Sequence, residues 1–132
     1  MFTSAYPLLV GLDTSEEAVV YSTVKIMHRH YEEYKDSAPG AMGWTFARQK
    51  LEQAFLPFHE GAIRYFKESG EWTPEAAVQN AKNLHRQAIL KQAWDAFVPA
   101  APDDYRDFEK AWLVARLTAL EAAGLVTLAD SL

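Results

Sequence analysis

Thr73, Pro74 and Glu75 open a long stretch of the chain free of glycine and further proline, and it runs to Val98. Their order is that of a helix start. A threonine hydroxyl accepts a free backbone N–H, a proline at the first helical position gives up an N–H that has no partner there, and an acid favours the positive end of the helix dipole. The spacing predicts a helix from Pro74 to about Phe97, ended by Pro99 and Pro102. Its apolar residues do not share one face. At about 100° per residue, Ala77, Val78, Ala81, Leu84 and Ala88 fall together, whereas Leu90, Ala93, Trp94 and Phe97 fall elsewhere, so two packing partners are expected.

The remaining pattern is also helical. Thr14 and Glu17 have capping-box spacing, and Val20, Val24, Met27, Tyr31 and Tyr34 form a stripe that predicts a helix ending near Asp36. A shorter helix is expected over residues 45–54, and another opens within residues 57–61 and stops at Gly70. The last begins at Asp103 or Asp104 and carries Tyr105, Phe108, Trp112, Ala115 and Ala119, widened by Leu113, Leu117 and Leu120. At its end Gly124 is expected in the left-handed conformation, with Leu125 folding back. Residues 5–12 (AYPLLVGL) read as one strand, for which the chain offers no convincing partner. The expected class is mainly α: about five helices with one short N-terminal strand.

With 132 residues, 49% of them apolar and 23% charged, the whole chain is expected to fold. A net charge of -5 with scattered lysines and arginines argues against nucleic acid as a partner. There is no cysteine, and no apolar run approaches the roughly eighteen residues of a membrane span. The first ten residues lack the pattern of an export signal, which leaves a cytoplasmic protein or a segment of a longer precursor. His28 and His30 stand two apart and point away from each other on a helix, so no metal is expected, nor any other cofactor. No nucleophile elbow or phosphate loop occurs, and the carboxylates sit where capping explains them, so no catalytic residue is assigned. Trp44, Phe55, Phe58, Tyr65, Phe66 and Trp72 crowd the middle third, where aromatic residues more often build a core than a pocket. If a ligand site exists, its candidates are Trp44, Phe58, His59, Arg64 and Tyr65, with His59 more readily read as a helix-start residue. Trp94, Phe97, Phe108 and Trp112 are candidates for an interface patch.

Three stretches carry a family resemblance. Val19-Val20-Tyr21 leads a helix, residues 34–44 read YKDSAPGAMGW, and residues 57–70 read PFHEGAIRYFKESG. With Trp72-Thr73-Pro74-Glu75, Arg86-Gln87 and Ala93-Trp94, residues 5–94 resemble the C-terminal part of TAXI-type extracytoplasmic solute receptors of TRAP transporters. The resemblance implies a periplasmic receptor of two α/β lobes that closes around a small anionic solute and delivers it to a membrane permease. Only its last portion is expected here, so the complete ligand cleft is lacking and the upstream lobes are the expected partners. Where that family usually has His-Pro-Gly-Ala, this chain has His59-Glu60-Gly61-Ala62. Residues 1–98 are read as the receptor-like segment and 99–132 as an appended helical extension. The alternative is a self-standing helical interaction module that assembles with another copy or another chain.

Overall fold

The computed structural model describes residues 9–125. Among them all regular structure is helical: α1 Glu17–Arg29, α2 Tyr31–Tyr34, α3 Glu60–Ser69, α4 Pro74–Phe97 and α5 Tyr105–Ala122. Residues 5–8 of the expected strand lie outside the described residues, and Leu9, Val10, Gly11 and Leu12 form no strand and are exposed. The chain divides into two compact units at Asn80, so that α4 begins in the first and ends in the second.

In the first unit α1 starts later than its capping box suggested. Glu16 occupies the N-cap position without a side-chain cap bond. Residues 12–15 are drawn into a turn instead, closed by the Ser15 N–H to the Leu12 carbonyl at 3.1 Å. The His59 Nε2 then meets the Ser15 carbonyl at 3.0 Å, and Glu17 turns across to Arg64 rather than back onto its own helix. The Val20 stripe nevertheless continues through the break at His30, because Tyr34 on α2 donates to the Met27 carbonyl at 2.9 Å.

The helix expected over residues 45–54 is not formed. Two 3-10 turns, Phe46–Arg48 and Leu51–Gln53, replace it after a third at Ala41–Trp44, the three separated by extended Thr45 and Gln49. Phe46 and Leu51 both pack into the core, yet five residues on an α-helix rotate by about 140° and would have exposed one of them. Burying both outweighs the continuous ladder. The core joins Leu51, Ala62, Phe66 and Ala76, with Val20, Val24, Phe46, Phe58 and Trp72 packed around it. Phe58, Phe66 and Trp72 meet with ring centroids 5.5 to 6.5 Å apart.

α3 and α4 begin and end as their sequences dictate. The His59 Nδ1 caps α3 by accepting the Gly61 N–H at 3.1 Å, and Gly70 closes it at φ 81°. Thr73 caps α4 by accepting the Ala76 N–H at 3.1 Å. The buried face of α4, however, is not the one its apolar residues suggested. Ala77, Val78, Ala81, Leu84 and Ala88 are exposed, whereas Ala76, Asn80 and Asn83 are buried. The start of this helix is seated on irregular backbone, whose polar groups need partners. Gln79 donates to the Ala54 carbonyl at 3.0 Å, and Asn80 accepts the Phe58 N–H at 2.8 Å. Amides serve that seat better than alkyl groups.

In the second unit the end of α4, a 3-10 turn at Val98–Ala100, and α5 make a helical hairpin. Trp94 and Phe97 pack on Phe108 and Trp112, the two indoles meeting edge to face at 4.9 Å. Asp104 caps α5 by accepting the Arg106 and Asp107 N–H groups. Gly124 at φ 67° ends it, with the Leu125 N–H returning to the Leu120 carbonyl at 2.9 Å. Among the described residues Leu120 is the most deeply buried large side chain, whereas Tyr105, expected in the packed stripe, is exposed one turn before the rings begin.

Candidate functional site

α1 and α3 cross at Gly61. A Cβ built there would overlap the Glu17 carbonyl oxygen and come within 2.8 Å of the Tyr21 nitrogen and 3.0 Å of Val20 Cβ. Only a glycine admits the neighbouring backbone at this distance. Such close approach lets side chains on each helix reach the other. On α1 the positions 21, 25 and 28 follow one another by four and three, and on α3 the positions 61, 64, 65 and 68 do the same.

These positions carry a polar and aromatic cluster. Lys25 Nζ donates to the Tyr21 hydroxyl at 2.7 Å and pairs with Glu68 at 3.1 Å, while the Tyr21 hydroxyl donates to the other Glu68 oxygen. Arg64 lies over the Tyr21 ring at 4.5 Å and pairs with Glu17 at 3.3 Å, so that the ring has a cation near it from each helix. Further along, the Tyr65 hydroxyl and His28 Nδ1 are 2.9 Å apart, and the His28 ring stacks on Phe46 at 3.8 Å.

The electrostatics define what this cluster can do. Hydrogen bonds from Tyr21 and Lys25 hold the Glu68 carboxyl below its ordinary range. Lys25 is pushed up, first by its bond to Tyr21 and then by Glu68. A lysine held in its charged form is a poor nucleophile or base, so the arrangement suits a clamp between helices rather than covalent chemistry. Beside it, Glu17, Glu60, Ile63, Arg64 and Lys67 line a shallow depression, in which two carboxylates balance two cations. Among the described residues no group of three histidines, aspartates or glutamates is placed to hold a metal ion.

The sequence candidates are distributed as follows. Tyr65 is buried against His28 and Phe46, and Phe58 is half-buried on Phe66 and Trp72. His59 caps α3, Arg64 is exposed over Tyr21, and Trp44 is half-buried at the end of its 3-10 turn. Trp94 and Trp112 come together in the hairpin. Lys25 and Glu68 were not singled out from sequence, Tyr21 entered only as part of a family motif, and His28 only as a metal ligand that its spacing from His30 argued against. Their signal is the four-three spacing of Tyr21, Lys25 and His28 beside the Val20 stripe, which becomes legible only when α3 supplies the facing residues.

The profile of the NMT1-like family matches residues 5–70, half of the chain. That span contains α1, α2, the 3-10 turns and α3, and it ends at the Gly70 cap. The stretches at 34–44 and 57–70 fall inside it, whereas the α4 start at 72–75 lies beyond. No curated protein and no solved structure matches the chain significantly. The chain therefore belongs to the NMT1-like family, a family of the periplasmic solute-binding type.

Proposed function

We propose that this chain is a portion of a TAXI-type receptor for a TRAP transporter of small organic anions, and that it contributes to a ligand cleft without containing all of it. The observation that carries this reading is a set of exposed apolar side chains on the first unit. Leu9, Val10 and Leu12 are 59%, 67% and 73% exposed, and on α1 Val19 and Ile26, seven residues apart on one face, are 57% and 59% exposed. On the receptor reading these side chains are the ones that a further part of the protein would cover. On this reading the upstream lobes of a receptor cover them, the assembly works in the periplasm beside its permease, and the role is binding rather than catalysis.

The small-anion assignment also predicts weakness in isolation. One exposed charge contact, such as Arg64 offers, contributes about 1 kcal/mol or less, against the roughly 8 kcal/mol of micromolar affinity. Calorimetric titration of the chain with short dicarboxylates is expected to give no heat of binding at micromolar concentration. Adding it to an NMT1-like receptor truncated of the matching segment is expected to restore anion binding, and Val19→Asn with Ile26→Asn to prevent that. Micromolar binding by the chain alone, or no restoration, overturns the reading.

A further inference from the structure

We infer that the tip of the α4–α5 hairpin is a docking surface for a basic, apolar helical segment of a partner protein. This goes beyond the receptor reading and does not depend on it, since the tip lies outside the residues that match the family. Trp94 is 40% exposed and touches the half-buried rings of Phe97, Phe108 and Trp112, and in the turn beside them Val98 is 46% and Tyr105 76% exposed. Large aromatic side chains held by their neighbours are the usual anchors of protein interfaces, because little side-chain freedom is lost when a partner covers them.

Charge identifies the occupant. From Asp103 to Lys110 the chain carries Asp103, Asp104, Asp107 and Glu109, all exposed, against the two cations Arg106 and Lys110, which on α5 lie about 160° and 200° around the helix from Phe108, away from the rings. Asp104 is engaged in capping, but capping leaves its charge in place. A second copy would bring the same carboxylates to the same patch, where like charges repel, so self-pairing is disfavoured. A helix with lysines or arginines flanking an apolar stripe meets the rings and the acidic rim together, and the rim steers its approach. Self-association was the alternative expected from the sequence; the charge distribution favours a basic partner instead.

The test titrates the full chain with two helical peptides of the same apolar pattern, one of leucines and lysines and one of leucines and glutamates, at low and moderate salt. The lysine peptide is expected to bind, more weakly as salt rises, and the glutamate peptide not to bind. Asp103→Asn, Asp107→Asn and Glu109→Gln together should weaken binding roughly tenfold, while Asp36→Asn, Glu52→Gln and Glu71→Gln together, an equal loss of charge far from the tip in sequence, should leave it within twofold. Tyr105→Ser should also weaken binding by roughly tenfold, and its exposure makes misfolding an inadequate explanation. Equal weakening by the two sets of charge changes would reduce the effect to net charge and overturn the proposal. So would equal binding of both peptides, or sedimentation showing a dimer that the lysine peptide does not dissolve.

Discussion

Gly61→Ala places the α1–α3 crossing under direct test. Alanine is the better helix former, and by propensity alone the exchange stabilises α3 by up to about 1 kcal/mol. Against this stands the overlap of the new methyl with the Glu17 carbonyl and its approach to 2.8 Å from the Tyr21 nitrogen. Both obstacles are backbone, so no side chain can swing aside, and α1 itself must retreat. Overpacking of a tight contact costs about 1–3 kcal/mol, and a rigid neighbour puts this case toward the upper end. A retreat of α1 also lengthens the Lys25–Glu68 and Arg64–Glu17 pairs. The net expectation is a loss of about 1–2 kcal/mol, which corresponds to roughly 4–8 °C in melting temperature for a chain of this size. Thermal and urea unfolding followed by circular dichroism measure it, with Gly70→Ala as the comparison. Gly70 has no atom within 4 Å of a built Cβ but sits at φ 81°, so its cost is conformational alone. A Gly61→Ala chain as stable as the parent, or more stable, would refute the close crossing.

Three further outcomes follow from the same geometry. Because the Glu68 carboxyl is held below its ordinary value in the fold, its contribution is present above the unfolded value and fades as pH falls through the folded one; Glu68→Gln should therefore destabilise at pH 7 and differ little from the parent near pH 2, by urea unfolding. Asn80→Ala leaves the Phe58 N–H without its acceptor and should cost about 1–3 kcal/mol, whereas Asn80→Asp keeps an acceptor and should cost less, in the same assay. His59→Ala removes the α3 cap and should cost about 0.5–2 kcal/mol, with His59→Asn recovering part of it as judged by melting temperature.

What sequence conveyed about this fold was mostly local. Thr73 with Pro74, Asp104, Gly70 and Gly124 act on backbone groups within a few residues, so the two ends of α3, the start of α4 and both ends of α5 could be read directly. The Thr14–Glu17 box failed because Ser15, which lies inside it, and Glu17 found distant partners in His59 and Arg64. Periodicity failed twice for related reasons. Residues 45–54 have to deliver Phe46 and Leu51 to one core, and α4 buries Asn80 because the backbone beneath it needs an acceptor. The α1–α3 cluster was half visible: Arg64 and Tyr65 were noticed as single residues, but Tyr21 and Lys25 acquire meaning only from the helix that crosses them.

The amide seat of α4 has a consequence for how freely that helix can be repositioned. An apolar contact is forgiving, since a helix that slides or rolls exchanges one alkyl neighbour for another at modest cost. Gln79 and Asn80 instead bond single atoms, the Ala54 oxygen and the Phe58 nitrogen. A roll of one residue, about 100°, would break both bonds at once. The seat thus works as a two-toothed key, fixing both the rotation and the axial position of the helix. A foreign helix grafted after Trp72 is expected to adopt the native register only when it carries a threonine cap and, six and seven residues later, the same pair of amides.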